Sequence, residues 1–404
     1  MNSKKVSTKL EENNINYQFK LLYAIGIVMI VANHTSGNGG ISLFYELFPA
    51  ASFEIGLFVF TSGYFYKEKY EENILKYFIK KLKTLILPLY AWNFVYALIT
   101  QILHAADFTI GGNINFENLI IIPITNGHQF VYNLGSWFVA PLFMVEIFNV
   151  FLRRTLLIIR CRHKEVVYCV LTLVFGTAGV LLASKGYNTN GWLVLVRFLF
   201  FIPFYSIGFM YKKRLEQYDN FPNSIYFSLV LAIQLAIIFV CGYAPQYEPV
   251  WCNFPQFSIL PYLTAFTGIA FWLRIARILT PVIGSSKLVN IIADSTYSIM
   301  VNHMLGFMLV KFIFSLCNRI NYNIFADFDR ALFKTDIWYF YRIKGLSQTL
   351  IIYVVVSIAI CIVIKKAIDN IKRLLIKKFN GNENIVTLLD IFVMIACLIV
   401  AQII

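Results

Sequence analysis

Long apolar segments alternate with short polar segments along the whole chain. About 20 apolar residues in an α-helix cover the roughly 30 Å hydrocarbon core of a bilayer, and most of these segments approach that length. The second segment is shorter and is expected to extend into its flanks. The pattern predicts eleven membrane spans, near residues 21–36, 52–66, 84–104, 135–152, 166–184, 193–211, 224–242, 257–279, 288–314, 346–368 and 385–404.

The basic residues predict which ends of these spans face the cytoplasm, because cytoplasmic loops carry an excess of Lys and Arg. With the N-terminus inside, the inside segments hold 27 of the 35 Lys and Arg residues. The outside segments before residue 257 hold only Lys185, and the outside loop 315–345 holds five, offset by three aspartates. The sequence therefore predicts a cytoplasmic N-terminus and an outward C-terminus.

The predicted fold class is all-α, a polytopic integral membrane protein with three regions. Residues 1–20 are polar and cationic and are expected to form a cytoplasmic N-terminal segment, because no signal-peptide cleavage site follows the first apolar run. Residues 21–380 are expected to form one transmembrane domain with a ten-helix core. Residues 381–404 are expected to add one further transmembrane helix.

Composition agrees with a membrane protein and excludes several other classes. The chain has 404 residues, of which 59% are hydrophobic and 14% charged, and its mean hydropathy is +0.68. The net charge of +14 lies in short clusters between apolar runs, so we assign it to membrane topology and expect no nucleic-acid partner. The cysteines lack metal-ligand spacing and no phosphate-binding loop occurs, so neither a metal nor nucleotide hydrolysis is expected.

Four titratable side chains lie inside predicted spans, where such groups are costly and usually functional. They are His34, Glu54, Arg197 and His303. Counted from the basic residue at the inner end of each span, all four lie roughly 20 to 24 Å deep at about 1.5 Å per residue. Each could simply meet water at the outer interface, but their common depth favours a shared polar cavity that opens outward.

Lys76, Lys80 and Lys83 recur at helical spacing on the predicted inner face between the second and third spans. One interpretation is a topology signal that also contacts lipid headgroups. The other is a phosphate-binding entrance for an anionic cofactor from the cytoplasm. The two interpretations are compatible.

Several short motifs resemble those of the membrane acyltransferase family 3. They occur in the order typical of the family and cover about residues 18–310. The family pairs a histidine at the end of the first helix with a "SGYF" element in the second, a basic run before the third, and later "WF", "FxxGxxxxK" and "SxYSI…H" elements. The corresponding segments here are "LLYAIGIVMIVANH", "EIGLFVFTSGYFYK", "FIKKLKTLILPLYAW", "GSWFVAPLF", "FYSIGFMYKK" and "STYSIMVNHM".

The resemblance implies a multi-pass enzyme of the bacterial cytoplasmic membrane. Such enzymes usually transfer acetyl from acetyl-CoA to a surface polysaccharide or its lipid-linked precursor. It implies that His34 is the essential histidine, and that Ser62, Trp137 and His303 belong to the cavity. The family commonly has Arg or Lys where this chain has Tyr23, and Lys20, one turn earlier on the same helical face, can substitute by spacing.

These observations define an expected mechanism. His34 acts as general base or carries the acetyl group, and Glu54 or His303 orients it. Asn33 and Arg197 are expected to bind the acceptor. The donor is expected to contact Trp137 and six further residues, and membrane lipids and a second copy of the chain are further candidate partners. Those six residues are Lys20, Tyr23, Ser62, Lys76, Lys80 and Lys83.

A transporter or flippase for a lipid-linked sugar is the alternative, since such proteins also have many spans with buried charges. Inverted repeats and broken helix pairs would favour it, and the sequence shows neither clearly. A catalytically inactive membrane sensor on the same scaffold is a third option, which the loss of the basic residue at Tyr23 keeps open. Covalent transfer of label from acetyl-CoA would distinguish an enzyme from a carrier.

Overall fold

The computed structural model describes residues 15–36, 44, 46–254, 259–320, 327–379 and 384–403. Within these ranges the chain is helical and forms no β-strand. Short helices lie at Ala50–Ser52, Glu68–Glu71, Glu117–Ile121, Ile122–Thr125 and Arg330–Thr335. The principal helices are α1 (Tyr17–Ser36), α2 (Glu54–Tyr64), α3 (Ile74–His104), α4 (Leu134–Ile158), α5 (Lys164–Ser184), α6 (Asn190–Tyr218), α7 (Asn223–Cys241), α8 (Leu260–Gly284), α9 (Lys287–Asp294), α10 (Thr296–Ile320), α11 (Thr349–Lys378) and α12 (Asn384–Ile403).

Eight of these helices are long and apolar enough to cross a membrane: α3 to α8, α10 and α11. They correspond to eight of the eleven predicted spans, so the all-helical, multi-pass class is confirmed over the described residues. Helices α6 and α10 are the most deeply buried of the eight, whereas α7 has the smallest buried share. The count of eleven spans and the orientation of the N-terminus stay predictions.

The three other predicted spans are also helical. Predicted span 21–36 is α1, which has 20 residues, and predicted span 385–404 is α12. Predicted span 52–66 is α2, which has only 11 residues. At 1.5 Å per residue α2 is about 16 Å long and cannot cross the hydrocarbon core by itself.

The predicted span 288–314 is divided into α9 and α10 by a break at Ser295, whose ψ of 4° is not helical. Thr296 directs its hydroxyl to the Ala293 carbonyl at 2.7 Å, and such local bonds compete with helix continuation. The break corrects the depth estimate for His303, because Lys287 and His303 lie on two separate helices.

Helix α2 is held against α6 by two glycines. A Cβ atom on Gly63 would lie 2.0 Å from the Tyr205 carbonyl oxygen, and one on Gly208 would lie 1.9 Å from the Phe60 carbonyl oxygen. The two backbones therefore approach more closely than any side chain would permit, as is common between helices in membranes. This contact fixes α2 in the centre of the bundle.

A network of ion pairs joins four helical segments at the end of the bundle that is predicted to be cytoplasmic. Arg153 of α4 is buried and binds Glu71 at 2.6 Å and Glu68 at 2.8 Å. Lys213 of α6 binds Glu68 at 2.6 Å and Glu165 of α5 at 2.9 Å. We call these five residues the inner ion network.

Candidate active site

A cavity of about 360 Å³ lies between α1, α2, α3, α4, α9 and α10. Its wall is mostly apolar, with a few polar groups, which is the usual character of a site for a small molecule or cofactor. Five of the predicted site residues line it, namely Tyr23, His34, Ser62, Trp137 and His303. Its other lining residues are Ile27, Ile30, Ile55, Phe58, Leu85, Gly135, Phe138, Val139, Leu142, Ala293, Asp294, Thr296, Tyr297 and Met300.

The two histidines of the cavity stack on each other. The ring centroids of His34 on α1 and His303 on α10 lie 4.9 Å apart at an interplanar angle of 30°. Two imidazoles this close repel each other when both are protonated, so the pair favours at least one neutral ring. A neutral imidazole has the lone pair that a general base requires.

His303 has a defined orientation. Its Nδ1 atom lies 2.9 Å from both the Ile299 and Met300 carbonyl oxygens. Carbonyls only accept, so this geometry assigns the proton to Nδ1 and leaves the lone pair on Nε2. That Nε2 atom is buried and has no hydrogen-bond partner among the described residues. An unpartnered buried acceptor beside a cavity is suited to accept a hydrogen bond from a bound substrate.

His34 is half-buried near the end of α1. Its Nδ1 atom makes no hydrogen bond of ordinary geometry with the described residues, although the Ile30 carbonyl one turn earlier interacts with the ring. The orientation of His34 is therefore set largely by ring stacking. Trp338 provides a second stacking partner, with its ring centroid 5.9 Å from that of His34.

The end of the cavity that lies away from the histidines carries Tyr23, Ser62 and Asp294. Tyr23 and Ser62 interact through their hydroxyls, so these two predicted donor contacts are neighbours. Lys20 does not line the cavity, but its ammonium group lies 3.0 Å from the Asp294 carboxylate. Lys20 therefore supplies the positive charge at this end, about 21 Å along α1 from His34.

Arg197 lies behind Trp137 and not in the cavity wall. Its guanidinium carbon is 4.7 Å from the centroid of the Trp137 ring. The guanidinium donates to the Asn126 and Val250 carbonyl oxygens, each at 2.9 Å. In this position Arg197 supports the Trp137 ring, and its acceptor-binding role stays a prediction.

Glu54 and Asn33 also lie outside the cavity wall. Glu54 is buried at the first residue of α2, and its Oε1 atom has no hydrogen-bond partner among the described residues. Asn33 is half-buried next to His34. No hydrogen bond joins Glu54 to His34 in the described part of the chain. The predicted roles of Glu54 and Asn33 both stay predictions.

The three predicted donor-binding lysines, Lys76, Lys80 and Lys83, are exposed on the first turns of α3. Lys80 donates to the Tyr70 hydroxyl at 3.1 Å. Leu85, two residues after Lys83, lines the cavity. The exposed lysines therefore lie on the helix that contributes Leu85 to the cavity wall, and they are close to Leu85 in sequence.

The most important site residue that the sequence analysis missed is Trp338. It belongs to the predicted outer loop 315–345, and neither its spacing nor its neighbours form a motif. Asp294 both lines the cavity and pairs with Lys20. Among the described residues, no three His, Cys, Asp or Glu side chains come together as a metal site would require.

The fold and the site define a multi-pass helical membrane protein with a histidine pair beside a buried, mostly apolar cavity. The family model of an acyltransferase domain matches residues 16–366, which is most of the chain. The chain therefore belongs to membrane acyltransferase family 3. Searches of the curated proteins and of the solved structures found no match.

Proposed function

We propose that this acyltransferase moves acetyl from cytoplasmic acetyl-CoA to a hydroxyl group of a cell-surface polysaccharide or its lipid-linked precursor. Capsule, O-antigen and exopolysaccharide units are the acceptor classes, and the bacterial cytoplasmic membrane is the location. The observation that carries the proposal is the stacking of His34 on His303 at 4.9 Å beside the cavity. It supplies a base where a donor and an acceptor can meet.

The chemistry requires one proton acceptor and alignment of two substrates. His34 takes the proton from the acceptor hydroxyl as the hydroxyl oxygen attacks the thioester carbonyl. The carbon–sulfur bond then breaks, the imidazolium returns the proton to the departing thiolate, and the products are an acetyl ester and free CoA. In the other route, an imidazole nitrogen of His34 attacks the thioester carbonyl, the carbon–sulfur bond breaks, and CoA leaves as the thiol with the imidazole proton. The acceptor hydroxyl then attacks the acetyl-imidazole, the carbon–nitrogen bond breaks, and the hydroxyl proton returns to the imidazole.

The donor is expected to enter from the side of α3. Its anionic nucleotide portion binds the exposed Lys76, Lys80 and Lys83 through charge-assisted contacts. The uncharged pantetheine arm passes along the cavity, whose apolar wall carries the hydroxyls of Tyr23 and Ser62. This path brings the thioester to the histidine pair without moving the charged groups into the membrane, which would be costly.

His303 is proposed to position His34 by ring stacking, while its own ring is fixed by the Ile299 and Met300 carbonyls. Asn33 is proposed to bind the acceptor, and Arg197 is proposed to bind the acceptor or the oxyanion that forms at the thioester carbonyl. Glu54 is proposed to act on His34 from the start of α2 when substrates are bound.

Membranes with and without the protein provide the test. They are incubated with acetyl-CoA labelled in the acetyl group, and the polysaccharide is then extracted and treated with mild base. We expect label in the polysaccharide, released by base as acetate, only when the protein is present. A glycan precursor that crosses the membrane without becoming labelled would instead support the transporter alternative.

A further inference from the structure

Trp338 contacts His34 from outside the cavity wall. The two ring planes are nearly parallel, at 24°, and their centroids are 5.9 Å apart. Trp338 is absent from the cavity wall, and 48% of it remains exposed. His34 therefore lies between a mostly apolar cavity and an exposed aromatic face.

A buried ammonium group holds Trp338 in place. Lys311 of α10 is 2% exposed, and it donates to the Ile337 carbonyl, the residue before Trp338, at 2.9 Å. The Trp338 amide also donates to the Asp336 carboxylate at 2.8 Å. A buried charge is costly unless it is satisfied, so Lys311 strongly favours this position of the loop.

The same loop has a second attachment. The Lys334 ammonium group lies 3.3 Å from the Asp107 carboxylate, and the Lys334 carbonyl accepts from the Thr109 amide at 3.0 Å. Asp329 caps the short helix Arg330–Thr335 by accepting from two of its amides. Attachment at both points fixes the position of Trp338 relative to His34.

We propose that Trp338 forms the acceptor subsite and that Lys311 is its positioning residue. The inference rests on the proposed function, in which His34 is the one base that acts on both the donor and the acceptor. The donor arm occupies the cavity on one side of His34, which leaves the side of Trp338 for the acceptor. The exposed part of the indole, beside its stack on His34, packs against the apolar C–H face of a sugar ring, and a sugar hydroxyl then reaches the edge of the His34 ring.

The chemistry of the indole matches this ligand class. A sugar ring presents an apolar face and a polar edge, and tryptophan combines a large apolar surface with one N–H donor. An aromatic packing contact contributes the equivalent of about a threefold to tenfold change in affinity. Loss of that contact is expected to weaken acceptor binding and to leave donor binding unchanged.

The test measures acceptor saturation. The acceptor is cell-envelope polysaccharide extracted from cells that lack the protein, and labelled acetyl-CoA is the donor. We expect Trp338→Ala to raise the apparent KM for polysaccharide about threefold to tenfold, with the KM for acetyl-CoA unchanged. Trp338→Phe should restore most of the affinity. Trp192→Ala is the matched control, since Trp192 is similarly exposed, at 47%, on α6.

Lys311→Met tests the positioning role without touching the indole. It should raise the KM for polysaccharide in the same direction, and the double variant with Trp338→Ala should be no worse than Trp338→Ala alone, because both changes remove one interaction. If Trp338→Ala does not accumulate in membranes, Lys311→Met alone still tests the subsite, because it should raise the KM for polysaccharide and leave the KM for acetyl-CoA unchanged. Equal loss for donor and acceptor, or additive effects, would overturn the inference.

Different results contradict the proposed function and the proposed acceptor subsite. If wild-type membranes transfer no label to the polysaccharide, the proposed function is wrong. If the wild type transfers label and both Trp338→Ala and Lys311→Met keep its acceptor KM, only the acceptor subsite is wrong.

Discussion

His34 and His303 come from helices near opposite ends of the chain, and their rings meet beside one cavity. The two nitrogens of His303 have different environments: Nδ1 faces two carbonyl oxygens, whereas Nε2 is buried without a partner among the described residues. Such asymmetry fixes the tautomer. In the proposed function, a neutral His303 ring stacked on His34 holds His34 in the orientation that proton transfer needs.

Substitution of Lys20 and Asp294 tests whether the charge at the end of the cavity away from the histidines binds the donor. Lys20→Met should raise the apparent KM for acetyl-CoA about tenfold to a hundredfold, because a hydrogen bond to a charged group typically contributes about 1.5 to 3 kcal/mol. The double variant with Asp294→Asn removes the unpaired carboxylate that the single change leaves behind. If the double variant recovers wild-type KM, Lys20 only neutralises Asp294 and the donor contact is wrong.

The sequence could predict several site residues but not their arrangement. Counting along the spans placed His34 and His303 at a similar depth, and their rings are in contact. The same count placed Arg197 at that level, yet it lies behind Trp137. Depth along a helix says nothing about the direction of a side chain around the bundle. Trp338 lies in a loop, where no periodicity exists from which its contact with His34 could be predicted.

At the scale of elements, the contact between α2 and α6 depends on Gly63 and Gly208. Gly63→Ala and Gly208→Ala should each destabilise the protein by about 1 to 3 kcal/mol, because the added methyl group would overlap a backbone carbonyl. Gly191→Ala is the control, since nothing lies within 4 Å of its Cβ position. Thermal unfolding in detergent measures the effect. Unchanged midpoints for both core variants would contradict this packing.

The inner ion network predicts a defined pH dependence. Partial burial raises the pKa of the Glu68 carboxyl, but hydrogen bonds and attraction from Lys213 and Arg153 outweigh burial and hold that pKa below its usual range. A depressed carboxyl pKa stabilises the fold above the unfolded value of about 4.3, and this stabilisation disappears as pH falls through the folded value.

Thermal unfolding of the wild type and of Glu68→Gln between pH 7 and pH 3 checks this. The wild type should unfold at higher temperature at neutral pH, and the difference should shrink once the pH drops below about 4.3. A difference that stays constant across the range would show that the Glu68 charge does not stabilise the network.

The long apolar segments predicted eight helices correctly because length and hydropathy alone decide whether a helix can cross a bilayer. The errors lie where local chemistry matters. Predicted span 52–66 forms a helix of 11 residues, and predicted span 288–314 breaks at Ser295. At the second break the Thr296 hydroxyl bonds to the Ala293 carbonyl, and an average of hydropathy over a long window does not register such a local contact.

At the scale of the whole molecule, the proposed function gives His34 two separate approaches. The cavity, the exposed lysines of α3 and the pair Lys20–Asp294 form one approach, and the loop that carries Trp338 forms the other. Membership of the acyltransferase family, which rests on a match over residues 16–366, requires a donor and an acceptor. We propose one route to His34 for each of them.

The most direct test of the central claim is acetyl transfer by His34→Ala. Membranes with equal amounts of wild type and variant are incubated with acetyl-labelled acetyl-CoA, and base-labile label in the polysaccharide is measured. We predict that the variant loses transfer by about 10²- to 10⁴-fold, the range that general-base catalysis contributes, while its amount in the membrane is unchanged. Transfer at the wild-type rate in His34→Ala would contradict the account.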